Sequence, residues 1–183
     1  MNQLEEFITM LTGHFDNHIQ LLELEQQGIK DYPYAKHINT LCNDKISGLP
    51  EDFSGAFMLE ESYYTVGDHT NAMPHLFLFT EEGGKIKLTS YEMPNGYTKD
   101  SFCYQNLSEI EYDSLEISSK FTPALYEKKG DYFEGGSVSM FSPILKFTLY
   151  ERFSKDVLEV SETMEVNGKR TFGYDKPIEY RRI

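Results

Sequence analysis

The sequence predicts a mainly β protein in which one N-terminal helix precedes an antiparallel meander that closes into a barrel or a sandwich. A single long segment with helical apolar spacing opens the chain, and roughly nine or ten short strand-like segments follow it. Turn residues separate these segments at intervals of about 8 to 12 residues, which is typical of sequential hairpins. The 13 Tyr and 13 Phe residues, with no Trp, suit strands that enclose a large apolar interior.

The helix is predicted over residues 3–27. Apolar residues recur there every three or four positions and form one stripe, which comprises Leu4, Phe7, Ile8, Leu11, Phe15, Ile19 and Leu22. Gly28 directly follows the pattern and marks the predicted end of the helix. We expect the helix to pack against the barrel through this stripe, with the contact made by Phe7, Leu11, Phe15 and Ile19.

The barrel strands are predicted from about residue 33 to residue 183. The clearest hairpin spans residues 74–93, where apolar and β-branched runs flank Gly83 and Gly84. Residues 97–120 have weak periodicity and remain unassigned. The other predicted strands cover residues 34–43, 56–66, 125–128, 132–134, 137–141, 145–153, 157–166, 170–174 and 178–182.

The composition restricts the classes of function. A formal net charge of -13 and the absence of a basic stripe argue against binding to nucleic acid or to an anionic membrane surface. No apolar run reaches transmembrane length, and the N-terminus lacks the pattern of a secretory signal. We therefore expect one cytoplasmic domain over residues 1–183, with Cys42 and Cys103 as reduced thiols.

No catalytic or metal-binding residue is predicted. His14 and His18 have the spacing of two ligands on one helix face, but Phe15 follows the first His where hydrolytic zinc motifs have Glu. Cys42 and His37 lack a pattern that would activate a thiol. The glycine pairs at 83–84 and 135–136 are interpreted as turns, because neither forms a phosphate-binding loop before a helix.

The predicted strand at residues 56–66 carries the strongest candidate for a binding wall. Alternate residues share a face of a strand, so Glu60 and Glu61 point to opposite sides, each beside apolar neighbours. A carboxylate enclosed in an apolar space is costly, which is typical of functional sites. The alternative is that one face is solvated together with its Glu. The phenols of Tyr63, Tyr64 and Tyr91 complete this candidate set.

Four short motifs, in the same order along the chain, resemble the family of CpcT/CpeT chromophore lyases. Residues 11–20 resemble the Gly-x-Phe-x-Asn-x-x-Gln helix of that family, and residues 59–63 resemble its Glu-Gln-x-Tyr strand, with Glu61 in the place of Gln. Residues 86–91 resemble its Asn-Tyr strand, with Ser90 in place of Asn. The end of the chain, residues 172–182, resembles its Trp-Gly…Gly-Pro-x-x-Phe-x-Arg ending, with Phe172 in place of Trp.

The resemblance implies a lipocalin-like (calycin) barrel that binds an open-chain tetrapyrrole, or bilin, and delivers it to a cysteine of a phycobiliprotein. No other cofactor is expected. The partners would be the bilin and an acceptor protein, and a homodimer is among the oligomeric states left open. The alternative is a non-enzymatic barrel for another small apolar or amphipathic ligand. The residues expected to bind the ligand are Glu60, Glu61, Tyr63, Tyr91, Arg152 and Arg182.

Only one of the two adjacent glutamates can face the barrel interior. We expect this to be Glu60, which takes the position of the family's Glu and shares its face with Ser62 and Tyr64. The competing assignment places Glu61 and Tyr63 inside. The inward carboxylate would pair with an arginine, either Arg152 or Arg182, or accept hydrogen bonds from the ligand.

Overall fold

Ten antiparallel strands form a closed barrel in the computed structural model, which describes every residue from Met1 to Ile183. The elements are α1 (Gln3–Leu11), β1 (Gly13–Asp16), α2 (His18–Gln26), β2 (Tyr34–Leu41), β3 (Ile46–Ser47), β4 (Ala56–Val66), β5 (His69–Glu82), β6 (Lys85–Tyr91), β7 (Ile110–Glu111), β8 (Ala124–Lys129), β9 (Tyr132–Met140), β10 (Leu145–Phe153), β11 (Val157–Val166), β12 (Lys169–Phe172) and β13 (Ile178–Arg182).

The strands follow one another around the ring in the order β1, β2, β4, β5, β6, β8, β9, β10, β11 and β13, and β13 pairs with β1 to close it. β12 extends β11 outside the ring, and β3 pairs with β7 in a separate short ladder. The predicted antiparallel, lipocalin-like barrel is confirmed, and the sandwich alternative is excluded. No helix has the length and apolar character needed to cross a membrane.

The prediction of one helix over residues 3–27 is wrong, because a strand divides this segment into two helices. Gly13 adopts a φ of 141°, which a helix cannot contain, and β1 then pairs with β2 and β13. The four-residue spacing of apolar residues continues from α1 into β1, because Phe7, Leu11 and Phe15 all face the barrel core although the backbone changes from helix to strand. Ile19 lies on α2 and is 44% exposed, so its predicted contact with the core is also wrong.

The first helix closes one end of the barrel. Phe7 is fully buried and its ring centre lies 4.8–5.2 Å from those of Phe79, Tyr126, Phe133 and Phe153. Edge-to-face pairs at these distances add to the stabilisation from apolar burial. A capping box between Asn2 and Glu5 fixes the start of the helix, so α1 is a well-defined aromatic plug.

The end of the chain joins β1 to the plug through Arg182. Its guanidinium donates hydrogen bonds of 2.7 Å to the carbonyl oxygens of Met10 and Thr12 at the C-terminus of α1. It also lies 4.5 Å from the ring centre of Phe15. A side chain at Gly13 would collide with this guanidinium. The first and last of the four motifs, residues 11–20 and 172–182, are therefore in contact, and this contact helps to close the barrel.

The segment over residues 97–120, which the sequence left unassigned, covers the outer face of β4 and β5. Phe102, Leu107 and Ile110 pack there in a second apolar cluster. From the barrel this cluster receives Cys42, Phe57, Leu59, Leu76 and Leu78. Both faces of the first half of β4 are buried as a result, one by the barrel interior and one by this covering segment.

Gly135 and Gly136 lie inside β9 and do not form the turn that was predicted for them. This strand runs without interruption where the sequence suggested two shorter ones. A side chain at Gly135 would collide with the carbonyl oxygen of Leu125, and one at Gly136 with that of Leu149. The two glycines let the neighbouring backbones of β8 and β10 approach closely. The predicted hairpin through Gly83 and Gly84 is confirmed between β5 and β6.

Candidate functional site

A cavity of about 270 Å³ lies within the barrel. Phe79 of β5 packs against the aromatic plug, and the next inward residues along this strand, Phe77, His75 and Met73, line the cavity. The cavity therefore occupies the part of the barrel away from α1. Its apolar walls are formed mainly by Phe77, Leu88, Phe121, Phe141, Phe147 and Leu149.

A second cavity of about 240 Å³ adjoins the first. Met73, Val160, Glu162 and Phe172 line both of them. The second cavity continues past these residues to Tyr64, Tyr174 and Lys176. The two spaces therefore share one part of the barrel wall, which includes Glu162.

Five titratable side chains face the larger cavity, each from a different strand. They are His37 of β2, Glu60 of β4, His75 of β5, Glu151 of β10 and Glu162 of β11. Each side chain points inward, and the register of the strand pairs sets which of them are neighbours. Glu60 lies directly opposite His75 on β5, for example, and Ser62 lies opposite His37 on β2. The barrel thus places three carboxyl groups and two imidazoles around one apolar space.

Glu60, Ser62 and His37 form one buried unit. The Ser62 hydroxyl donates to Glu60 Oε1 over 3.2 Å, and it lies 3.4 Å from His37 Nε2. The Ser62 hydroxyl has one proton and donates it to Glu60. Its oxygen therefore accepts the hydrogen bond from His37, which must carry a proton on Nε2. His37 Nδ1 lies 3.6 Å from Glu60 Oε2, a separation that suits an ion pair but exceeds a hydrogen bond.

Mutual stabilisation determines the charges of this pair. Burial by itself would lower the pKa of His37, but the Glu60 carboxylate outweighs it and raises that pKa above its ordinary value. Burial would likewise raise the pKa of Glu60, and the His37 imidazolium holds it below the ordinary value. Burial lowers the pKa of His75, so this imidazole stays neutral beside the charged pair.

Glu151 and Glu162 behave in the opposite way. Burial, reinforced by the negative charge of Glu60, raises the pKa of Glu151 to about 8 and that of Glu162 to about 7. Their hydrogen-bond donors are phenols: Tyr126 donates to Glu151 Oε2, and Tyr64 lies 3.5 Å from Glu162 Oε2. At neutral pH Glu151 is mostly protonated and Glu162 is near its midpoint.

The two cavities differ in the charge of their linings. No Lys or Arg lines the larger one, and Lys176 is the single cationic side chain that lines the smaller one. The one positive charge next to the larger cavity is the His37 imidazolium, which Glu60 already neutralises. The larger cavity therefore has an excess of acidic groups over cationic groups.

Of the six residues predicted to bind a ligand, Glu60 lines this cavity. Glu61 and Tyr63 face the other side of β4, where the Tyr63 hydroxyl donates to Glu61 Oε1 over 2.8 Å. The backbone N–H of Tyr104, in the covering segment, lies 3.4 Å from Glu61 Oε2. Glu61 is only 7% exposed, so the expectation that the outward carboxylate is solvated is wrong.

The other three predicted residues also lie outside the cavity. Tyr91 belongs to the outer cluster, with its ring centre 5.4 Å from that of Phe57. Arg152 projects outward and lies 4.1 Å from the ring centre of Tyr132. Arg182 holds the end of α1. The predicted pairing of the inward glutamate with Arg152 or Arg182 is therefore wrong, and His37 takes that role.

Sequence reasoning did not select His37, His75, Glu151 or Glu162 as cavity residues. A signal for the two glutamates is visible in the chain. Glu151 stands between Leu149 and Phe153, and Glu162 between Val160 and Met164, at the two-residue spacing of one strand face. An acidic residue between apolar residues on one face of a barrel strand is a candidate inward carboxylate. At Glu60 only half of this pattern is present, with Met58 on one side and Ser62 on the other.

No three of the His, Cys, Asp and Glu side chains converge in a way that could hold a metal ion. His14 lies on β1 and His18 begins α2, so the helical spacing considered for them does not apply. Burial raises the pKa of the Cys42 thiol to about 12, which leaves it unreactive at neutral pH. Comparison of the chain with protein-family models, curated proteins and solved structures finds no match.

Proposed function

We propose that this protein is a non-enzymatic barrel that binds a small amphipathic molecule in its interior. The supporting observation is the cavity of about 270 Å³, which combines phenylalanine walls with five inward titratable groups. Ligand sites commonly pair an apolar lining with a few fixed polar groups in this way.

The energetics of the interior favour binding over a purely structural role. Burying Glu151 and Glu162 costs free energy, which is expressed as the rise in their pKa. A molecule in the cavity would offset this cost through its interaction with the carboxyl groups, and its apolar part would gain packing contacts with the phenylalanine walls.

Uptake of N-phenyl-1-naphthylamine, an uncharged fluorescent probe, tests this proposal. Ser137 lines the cavity, and Ser137→Leu would fill part of it, whereas Val138→Leu changes the exposed outer face of the same strand. We expect saturable fluorescence enhancement with the unchanged protein and with Val138→Leu, and at least tenfold weaker binding with Ser137→Leu. Equal binding by all three proteins, or no binding by any of them, would contradict the proposal.

A bilin-binding lyase or chaperone is the second candidate. Two observations favour it: the order of motifs along the chain, and the Glu60 carboxylate in the cavity, which could accept hydrogen bonds from pyrrole N–H groups. In that function the barrel would hold the bilin and present it to the cysteine of a phycobiliprotein. The two propionates of a bilin need cationic partners, however, and Lys176 alone is available in the lining.

Titration with biliverdin distinguishes the two candidates. A saturable shift in its visible absorbance that is lost in Ser137→Leu supports the bilin function. Binding of N-phenyl-1-naphthylamine without any absorbance change of biliverdin supports the barrel for a different ligand.

A further inference from the structure

We infer that the molecule bound in the larger cavity carries a protonated amine, which lies between Glu151 and Glu162 while its apolar part packs against the phenylalanine wall. This inference rests on the proposed binding function and specifies the chemical class of the ligand. It follows from the position of the two carboxyl groups, from their unused hydrogen-bonding capacity and from the shape of the space around them.

The two carboxyl groups are neighbours on adjacent strands. Glu162 pairs with Leu149 across the β10–β11 ladder, and Glu151 lies two residues beyond Leu149 on the same face. Diagonal neighbours of this kind lie roughly 7 Å apart at their Cα atoms, and long side chains at such positions can reach one another. An ammonium group placed between them can therefore contact both carboxyl groups.

Neither carboxyl group has a cationic partner, and each has hydrogen-bonding capacity left over. Glu151 is 6% exposed, and its only donor is the Tyr126 hydroxyl, so its second oxygen accepts no hydrogen bond within the protein and stays available to a ligand in the cavity. Glu162 has one weak contact, 3.5 Å from the Tyr64 hydroxyl. An ammonium group supplies three donors, enough to reach the free acceptor positions of both carboxyl groups.

The apolar part of the ligand has a defined place. Phe121, Phe141 and Phe147 form an aromatic wall, with ring centres 5.2–5.7 Å apart. A cavity of roughly 150 Å³ can hold a benzene ring, so about 270 Å³ accommodates one ring with a short chain, and the adjoining cavity of about 240 Å³ provides room for part of a larger molecule. An anionic head would face three carboxyl groups, and a metal ion lacks a converging set of ligands.

Binding of the amine is coupled to proton release. Glu151 and Glu162 bind protons in the free protein at neutral pH, and the ammonium group favours their ionised forms, so protons pass to the buffer. The other groups around the site are the paired Glu60 and His37, the neutral His75, and three phenols whose pKa burial raises: Tyr64, Tyr126 and Tyr180. The affinity for an amine should therefore increase from pH 6 to pH 8.

Calorimetric titration with three probes of similar size tests the inference. The probes are 2-phenylethylamine, 2-phenylethanol and 3-phenylpropanoate, which present a cation, a neutral hydroxyl and an anion on comparable apolar bodies. At pH 8 we expect the amine to bind at least tenfold more tightly than the alcohol, and the anion not to bind. Titrations at pH 7 in buffers of different ionisation enthalpy should show net proton release with the amine.

Three variants locate the interaction. Glu151→Gln and Glu162→Gln keep the size of the side chain and should each weaken amine binding at least tenfold without affecting the alcohol. Glu61→Gln changes a glutamate that is as buried as Glu151 but lies on the outer face of β4, and it should leave the affinity for the amine unchanged. The comparison of the three probes on the unchanged protein does not depend on the folding of any variant.

The outcomes separate this inference from the proposed function. If 2-phenylethanol binds as tightly as the amine, or if N-phenyl-1-naphthylamine binds while none of the three probes does, the amine inference is wrong and the binding function stands. If no probe binds, including N-phenyl-1-naphthylamine, both are wrong. Equal loss of amine binding in Glu61→Gln would also contradict the inference.

Discussion

The two ends of the barrel are built from similar aromatic residues but differ in how those residues are used. At the α1 end, Phe7 is fully buried among four aromatic rings. At the other end, Phe147 remains half-buried beside a cavity and three carboxyl groups. The contrast indicates that stability is concentrated in the plugged end, whereas the acidic end encloses a cavity and costly buried titratable groups, as binding sites commonly do.

The largest effect that we expect comes from removing the plug. Phe7→Ala should reduce the free energy of unfolding by about 4 kcal/mol, because it loses a fully buried ring and leaves a cavity. Phe147→Ala, the matched change at the acidic end, should cost about 1 kcal/mol, since that ring is already half-exposed. Urea denaturation followed by far-ultraviolet circular dichroism measures both values.

For ligand binding we expect the opposite ranking of the two variants, with the larger effect at the acidic end. Phe147→Ala should weaken the uptake of N-phenyl-1-naphthylamine, while folded Phe7→Ala should bind it normally. Equal losses of stability in the two variants would remove the distinction between the ends.

The second effect is a loss of stability as the pH rises. Glu151 and Glu162 keep their protons in the folded protein up to pKa values of about 8 and 7, whereas an unfolded chain loses them near pH 4.5. The stability that these two protonated groups contribute is complete below pH 4.5, and it is lost as the pH rises through their pKa values in the folded protein. The raised pKa of His37 acts in the same direction above pH 6.5. From pH 5 to pH 9 we expect a loss of roughly 6 kcal/mol.

Glu151→Gln isolates this effect, because the amide cannot ionise. The free energy of unfolding of the variant should be close to that of the unchanged protein at pH 5 and higher than it at pH 9, as measured by urea denaturation at both values.

Two other groups change stability in the opposite direction, but only at acidic pH. The lowered pKa of His75 reduces stability below pH 6.5, and that of Glu60 reduces it below pH 4.5. A stability that increases between pH 5 and pH 9 would contradict the electrostatic description of the cavity.

The smallest effect concerns the outer glutamate. Glu61→Gln should change the free energy of unfolding by about 1 kcal/mol or less, because an amide oxygen can still accept the Tyr63 hydrogen bond. Urea denaturation of the variant and the unchanged protein at pH 7 measures this difference. A loss as large as that of Phe7→Ala would mean that the outer face is as important for stability as the plugged end.

The fold could be predicted because its information is local. Strand alternation, hairpin turns and the spacing of Phe7, Leu11 and Phe15 are all visible in the sequence. The break at Gly13 was missed because the apolar period continues through it, although the backbone changes from helix to strand. Gly135 and Gly136 were taken for a turn because their packing reason, the close approach of two neighbouring strands, depends on partners that are distant in the chain.

The site was predictable only in part. Alternation showed that only one of the two adjacent glutamates of β4 can face inward, and the resemblance led to the choice of Glu60, which lines the cavity. The partners of Glu60 depend on pairing between strands, and no local pattern could bring His37 and Glu151 to the same space. Arg152 and Arg182 were chosen for their charge alone, and the barrel uses one on its outer surface and the other for closure.

The central claim is that the acidic end of the barrel is a binding site with poised carboxyl groups. Carbon-13 NMR of glutamate side-chain carboxyl groups across a pH titration, with and without 2-phenylethylamine, tests it most directly. The free protein should show two glutamates that titrate near pH 8 and pH 7, assigned by their loss in Glu151→Gln and Glu162→Gln. The amine should lower both pKa values. If all glutamates titrate near pH 4.5, or if the amine leaves these two unchanged, the claim is wrong.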